Sequence, residues 1–506
     1  MKCCQLLLLV VLIASDSTGN SEAARILGAF HFNGKSHFMA IQPLLKGLAA
    51  RGHQVYVLGH IPLKKPVPNY TDISLEGSVP GVLNSFSVKS ALEFGQYFTL
   101  LSFFYKKVTD ICETVLEHPK VQDLIKSNDT FDLVITEVLG PDCMNAFSYR
   151  FNAPIISIIS SVILPWGNDR VGNPDHPAYI PSYFLPYTQH MTFSQRLINT
   201  ILTEVLKLGL YVFGELPTDK MLKKHFGKDV PPLSELKERT SVILVNSHFS
   251  LNYPRPTVPA FIEVGGIHIQ SNGILPKDLK SFLDEAEEGV IYFSLGTLVI
   301  GETLPEDKLQ AFSNVFSELP QRVLWKMDKN ISLPNVRTSK WFPQFDVLSH
   351  PNVRAFITHG GLLGTQEAVH AGVPMVGVPL FADQYFNIRN CVEKGISVVV
   401  EYDAITKDTI SNAVKTVLHN SSYRQKAQQL SRLFRDRPHT PLETAIFWTE
   451  YVIRHGGAPH LRSAALDLTW YQYLILDVIA VIVLFLAFVL CTLYVICRKI
   501  ISIYFG

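Results

Sequence analysis

Apolar positions fall into short Val- and Ile-rich runs separated by longer stretches with helical spacing. The first run covers residues 25–30 and leads into a polar loop holding Gly34 and His37. An amphipathic pattern follows over residues 38–50, stops at Arg51-Gly52, and gives way to a second run at 54–58. Strand, helix and strand in that order make a βαβ unit. Further buried-strand patterns lie at 132–135, 154–158 and 242–245, with helical patterns around 85–127 and 190–226. Residues 250–275 are rich in Pro, Gly and Asn and break the series. A second series then begins, with runs at 290–294, 322–325, 354–358, 375–378 and 397–400. Continuous apolar strands alternating with helices predict an α/β fold with parallel, doubly wound sheets, here two Rossmann-like domains over 24–255 and 256–455 facing a cleft. In such sheets ligands bind beyond the carboxyl ends of the strands, so the loops after the runs are where chemistry is sought.

The ends of the chain differ from its middle. Met1-Lys2 precedes an apolar run at 5–14, and Ser21-Glu22-Ala23 fits a small-x-small cleavage pattern, so residues 1–23 read as a secretory signal peptide. Residues 478–496 form an unbroken apolar stretch, long enough for a bilayer core of about 30 Å. Trp470, Tyr471 and Tyr473 lie in the juxtamembrane segment 456–477, and Arg498-Lys499 lie in the tail 497–506. That asymmetry predicts a single-pass type I protein with its tail in the cytosol and its domains outside it. Sequons at Asn69, Asn128, Asn330 and Asn420 agree with a glycosylated exterior.

Composition fits these segments. Hydrophobic residues make up 47% of the 506 and charged residues 18%, with a mean hydropathy of +0.18. Forty-five Lys and Arg against 44 Asp and Glu leave a net charge of +1, which supplies no field for a nucleic acid. Cys112, Cys143 and Cys391 are the cysteines of the expected exterior part. An odd count without a CxxC pair predicts neither a disulfide framework nor a zinc site.

The most informative segment is Thr358-His359-Gly360-Gly361-Leu362-Leu363-Gly364-Thr365-Gln366-Glu367. It follows a strand pattern and opens a helix pattern, where glycines admit close backbone approach and the helix N-terminus favours an anion. The dinucleotide fingerprint needs a glycine where His359 stands, which disfavours a nicotinamide enzyme. A histidine there offers a charge-assisted hydrogen bond to a diphosphate. Glu367 offers acceptors for ribose hydroxyls, and Asp383-Gln384 pairs acceptor and donor for a sugar. Trp341 supplies an aromatic plate, with Gln344 three residues on. His37 is suited to take a proton near neutral pH.

Trp341-Phe342-Pro343-Gln344 through His359-Gly360-Gly361 and Glu367 to Asp383-Gln384 resembles the donor signature of the UDP-glycosyltransferases, a membrane-bound animal detoxification family of GT-B fold. Phe293-Ser294-Leu295-Gly296-Thr297 resembles the family's glycine loop, and 454–470 its segment before the membrane helix. The resemblance implies an N-terminal acceptor domain and a C-terminal UDP-sugar domain. Trp341 would stack on uracil with Gln344 beside it. Ser294, Thr297, His359 and the backbone around Gly361 and Gly364 would hold the diphosphate, Glu367 the ribose, and Asp383 and Gln384 the sugar, with Gly296, Thr358 and Gly360 also in the substrate site. Many relatives have Asn at the position of Leu363, so backbone N–H groups are expected to act there. The family's catalytic His matches His37. Its Asp partner is replaced by Glu137, the preferred orienter, with Asp142 as the alternative.

The function implied is inverting transfer of a hexosyl group, glucose before glucuronate, from a UDP-sugar to a small lipophilic acceptor. Residues 383–387 resemble the invertebrate members, which mostly use UDP-glucose. A non-catalytic binder of lipophile or sugar nucleotide is the alternative, against which His37 with Glu137 argues. No cofactor beyond the donor and no metal is expected, since no DxD-like pair stands near the loop. Residence in the endoplasmic reticulum membrane with lumenal domains is expected, and a homo-oligomer stays open.

Overall fold

The computed structural model describes residues 23–81, 85–95, 97–270, 273 and 275–505. The signal peptide expected at 1–23 lies outside the described residues except for Ala23, and Gly506 of the tail lies outside them too. Residues up to Leu461 form one compact unit, and Arg462–Gly506 a second.

The first unit carries two sheets. Strands β1 (Arg25–Ala29), β2 (Gln54–Gly59), β3 (Tyr70–Ser74), β4 (Leu133–Glu137), β5 (Ile155–Ile159), β6 (Thr240–Val245) and β7 (Phe261–Glu263) pair in the order β3-β2-β1-β4-β5-β6-β7. Strands β8 (Val290–Ser294), β9 (Arg322–Lys326), β10 (Val336–Ser339), β11 (Val353–Thr358), β12 (Met375–Gly377) and β13 (Ser397–Val399) pair in the order β10-β9-β8-β11-β12-β13. Every pairing is parallel. Residues of β4, β5 and β8 are buried throughout, which is why they stand out as unbroken apolar runs. In both sheets the strand order reverses beside the first strand, between β1 and β4 and between β8 and β11. These two switch points are where a doubly wound sheet opens a crevice for ligands.

Helix α1 (Lys35–Ala50) follows β1 and buries Phe38, Ile41, Leu44, Leu45 and Leu48 against the first sheet. Helix α2 (Phe193–Leu210) continues through a π-bulge at Tyr211–Glu215. In the second domain, α3 (Leu362–Ala371) and α4 (Gln384–Glu393) follow β11 and β12.

The boundary between the domains departs from the sequence expectation in two places. The first sheet takes its last strand, β7, from 261–263, past the expected boundary at 256. Helix α5 (Pro441–Arg454) lies within the expected second domain but packs on the first. Its Ala445, Ile446 and Val452 share one core cluster with Ile41, Leu44 and Val242. Gly47 on α1 is needed for that approach, because a Cβ there would come within 2.7 Å of Ile446 Cδ1.

The cysteine expectation is corrected. Cys112 and Cys143 are joined by a disulfide, with Cα atoms 6.2 Å apart. They lie 31 residues apart in sequence and meet because the helix at Val108–Glu117 packs over the turn after β4. Spacing along the chain carried no sign of that contact. Closing such a loop stabilises the fold by roughly 3–4 kcal/mol on chain-entropy grounds. Cys391 is buried and free.

In the second unit, a helical turn at Trp470–Tyr473 precedes α6 (Leu476–Phe505). Within Leu476–Tyr504 an 18-residue stretch has a mean hydropathy of 3.1 with none of it buried, and the helix is long and apolar enough to span a membrane. The helix runs on past the expected end at residue 496, through Arg498 and Lys499.

Candidate active site

A cavity of about 420 Å³ lies between the carboxyl ends of the two sheets, within the usual range for a small-molecule site. One wall comes from the first domain. His37 sits in the first turn of α1, just past the loop after β1, and Glu137 ends β4. The first switch point therefore puts them side by side, with His37 Nδ1 2.6 Å from Glu137 Oε1. Ser160, just past β5, donates to Glu137 Oε1 at 3.0 Å and lies 2.9 Å from His37 Nδ1. Burial lowers the pKa of His37, but the charge and hydrogen bond of Glu137, with the charge of Asp383, outweigh burial and raise it above the ordinary histidine value. With Nδ1 held by Glu137, Nε2 is the nitrogen left for a reacting group. Phe32 packs its ring against the imidazole at 4.9 Å between centroids and fixes its plane.

Asp142, the alternative partner, is committed elsewhere. It forms a buried ion pair with Arg170 and accepts the Leu139 N–H. The contact with His37 belongs to Glu137.

The opposite wall is built from the second switch point. Thr358 ends β11, and its hydroxyl accepts the Gly360 N–H at 3.2 Å. Gly360 has a φ of +86°, which turns the chain sharply, and Gly361 caps α3. Gly296 in the facing loop has a φ of +83°, and its N–H is accepted by Ser294 Oγ at 3.2 Å. The His359 ring fits against both glycines. A Cβ on Gly296 would stand 2.4 Å from its Nε2, and one on Gly361 2.7 Å from it. His359 Nδ1 is buried without a hydrogen-bond partner, a cost that a ligand acceptor would relieve.

Burial and the neighbouring Lys326 lower the pKa of His359 to about 3, so its ring is neutral before an anion binds, and a neutral N–H donating to an anionic diphosphate is still charge-assisted. The cation at this wall is Lys326, which ends β9 and donates to the Gly296 carbonyl. Burial and Lys35 lower its pKa to about 8 against an opposing pull from Glu302.

Further along the wall, Gln344 Nε2 donates to Glu367 Oε2 at 2.6 Å, and the Tyr292 hydroxyl donates to Gln344 Oε1 at 3.2 Å. Burial raises the pKa of Glu367 to about 7, opposed by the Gln344 hydrogen bond. Gly364 faces Gln344, with room for no Cβ beyond 3.1 Å of its Nε2. Trp341 is 48% exposed, with the ammonium groups of Lys35 and Lys326 at 4.3 and 5.2 Å from its ring centroid. Thr297 also lines the cavity.

Asp383 and Gln384 open α4 across from His37. Burial raises the pKa of Asp383 to about 6, against a lowering hydrogen bond from Asn387. Gln384 Oε1 is already taken by the N–H groups of Leu380 and Phe381, so it is the amide N–H₂ that this residue offers. Ala382 holds a left-handed φ of +53° to present the pair, a conformation that costs an alanine about 1–2 kcal/mol.

The remaining lining is aromatic. Phe94, Phe103 and Phe104 face the cavity, and Phe103 packs edge-on to Phe32 and Phe94. Tyr105 points the other way, onto the backbone of Leu206. Most of the residues singled out in the sequence thus line one cavity, with Glu137 behind His37 and Gly360 in the turn beside it, while Asp142 lies outside it. Ser160 and Lys326 were missed, yet both follow apolar runs at the carboxyl edge of a sheet, the position the switch-point rule marks.

The family described as UDP-glucoronosyl and UDP-glucosyl transferase matches residues 31–505. UDP-glucosyltransferase 2 of Dactylopius coccus is 43% identical, over 99% of this chain and 97% of that protein. UDP-glucuronosyltransferase 2B7 of Homo sapiens is 33% identical, over 97% of this chain and 95% of that protein. Among solved structures, the glycotransferase of kitacinnamycin superposes with a TM-score of 0.57 at 17% identity, covering 85% of this chain and 99% of that one. That likeness places the two domains in the GT-B fold.

Proposed function

We propose a reaction for this chain, which belongs to the UDP-glucuronosyl and UDP-glucosyl transferase family and is a UDP-glycosyltransferase. It moves glucose from UDP-glucose to a hydroxyl of a small lipophilic acceptor, with inversion at the anomeric carbon. The observation that carries the reading is the 2.6 Å contact of His37 and Glu137, set across one cavity from the glycine-lined loop. His37 Nε2 takes the acceptor proton as the oxygen attacks C1, and the C1–O bond to the diphosphate breaks. Glu137 fixes the tautomer and steadies the imidazolium that forms. UDP leaves onto Lys326, the neutral His359 and the N-terminus of α3. Uracil stacks on Trp341, which requires the Lys35 ammonium to move off the ring. Ribose binds Glu367, and the sugar binds Asp383 and the Gln384 amide. The reaction uses no cofactor beyond the donor and no metal.

Glucose is favoured over glucuronate by charge. Among the described residues lining the cavity, Lys326 is the one lysine or arginine, and it stands at the diphosphate loop. A glucuronate carboxylate would meet Asp383 with no cation to pair it, which costs several-fold in affinity or more. The lumenal placement of the domains is supported by the Cys112–Cys143 disulfide and by Arg498-Lys499 beyond the apolar run.

The test incubates the full chain in membranes with UDP-glucose or UDP-glucuronate and a panel of phenols, and reads product and anomeric configuration. UDP-glucose yielding the inverted glucoside is expected. Faster transfer from UDP-glucuronate, or a retained configuration, would overturn the assignment.

A further inference from the structure

Two buried amides join the domains. Asn246 stands just past β6 in the first, and Gln366 lies on α3 in the second, at 1% and 0% exposure. Gln366 Nε2 donates to the Asn246 carbonyl at 3.0 Å, and Gln366 Oε1 accepts the Gly266 N–H at 3.1 Å. Asn246 Oδ1 shares that N–H, also at 3.1 Å. Asn246 Nδ2 donates to the Ser160 carbonyl at 2.8 Å, and the Asn246 N–H donates to the carbonyl of Ile159 at 3.1 Å. Each amide oxygen and nitrogen therefore has a partner.

An aliphatic side chain would fill the same space with no polar group to desolvate. What the amide adds is direction. Apolar surfaces tolerate sliding, whereas buried hydrogen bonds hold their partners to one spacing and angle. The local backbone is shaped for the contact. A Cβ on Gly265 would stand 2.5 Å from the Ser247 carbonyl oxygen and 3.2 Å from Gln366 Nε2.

The ends of this bridge give it a function. One end is Ser160, whose hydroxyl donates to Glu137 and lies 2.9 Å from His37 Nδ1. The other end is next in sequence to Glu367, on the helix whose N-terminus faces the diphosphate loop. Neither Asn246 nor Gln366 is among the residues lining the cavity, so an effect on transfer passes through their neighbours.

We propose that Gln366 is a positioning residue which, through Asn246 and the hydroxyl of Ser160, holds His37 and Glu137 at a fixed distance from the bound donor. This rests on His37 as the base. Displacement at C1 requires the base, the acceptor oxygen and the anomeric carbon to be aligned, and a misplacement of about 1 Å costs on the order of 100-fold in rate. UDP alone binds the second wall and needs no such alignment. The signature is a loss of kcat that leaves donor affinity in place.

The test uses the full chain in phosphatidylcholine nanodiscs, with UDP-glucose and a phenol for kcat and calorimetry for UDP affinity. Gln366→Met removes both hydrogen bonds and keeps an unbranched side chain. Its kcat is expected to fall about 10–100-fold while UDP affinity stays within about threefold. Gln366→Asn keeps an amide one methylene short of Asn246 and is expected to show the same split, which covers the case of a poorly folded Met variant. Unchanged kcat in either variant, or UDP affinity falling in step with kcat, would overturn the proposal. Ser160→Ala removes the hydroxyl through which the bridge acts and leaves the carbonyl. Adding Gln366→Met to it should then cost less than about threefold more. Losses that multiply would reduce Gln366 to packing. His37→Ala separates this proposal from the reading beneath it. Full turnover there would remove the base, whereas a dead His37→Ala beside a fully active Gln366→Met would remove the bridge alone.

Discussion

The two walls of the cavity are built on the same strand order but finished differently. On the first wall, His37, Glu137 and Ser160 satisfy one another before anything binds. On the second, glycines at 296, 360 and 361 leave room, His359 Nδ1 is buried without a partner, and Glu367 is held near its midpoint by burial. In the proposed reaction the first wall is pre-organised for a proton and the second awaits an anion. On that reading the two doubly wound sheets serve catalysis and binding from equivalent positions, by the choice of side chains against backbone.

His37→Ala attacks the first wall alone. Turnover should fall by about 10²–10⁴-fold while UDP affinity, read by calorimetry, stays within about twofold. A parallel loss of UDP binding would erase the distinction between the walls. Gly296→Ala attacks the second. The positive φ and the 2.4 Å approach to His359 Nε2 leave no space for a methyl group, so UDP affinity should drop about tenfold or more. Normal UDP binding in that variant would mean that the glycine is not shaping the loop.

Glu137→Gln sharpens the comparison through pH. As the proposed base His37 works when neutral, and its raised pKa places the expected acid limb of kcat/KM above 6.5, with activity lost as pH falls through it. Removing the carboxylate charge leaves burial as the main influence, so the limb should move to lower pH even as the rate at its plateau falls. An unmoved limb would detach Glu137 from the titration. The smallest effect belongs to Glu367. With a pKa of about 7 it is partly protonated at neutral pH, and hydroxyls donating to it favour the ionised form. UDP binding should then release a fraction of a proton between about pH 6 and 8, visible as a buffer-dependent calorimetric enthalpy. Identical enthalpies in buffers of different ionisation heat would remove Glu367 from the ribose site.

What the sequence displayed follows from burial. The strands at the centre of each sheet are apolar on both faces and stand out as runs. Those it hid, β3, β7 and β10, are all sheet edges. β3 reads Tyr70-Thr71-Asp72-Ile73-Ser74 and β10 reads Val336-Arg337-Thr338-Ser339, half-solvated segments with no continuous apolar signal. The loop at 358–367 was legible because glycines and a histidine in that order have few other uses. Lys326, Ser160 and the Cys112–Cys143 pair were not, since each depends on what the fold brings opposite.

The return of α5 to the first domain gives the molecule a clasp. The chain passes between the halves twice, once after β7 and again before α5, so the halves are pinned at two places. A proteolytic nick after β7 would cut one pin but leave the second half gripping the first through Ile446 and its neighbours. Relative motion of the halves is thereby restrained at both crossings.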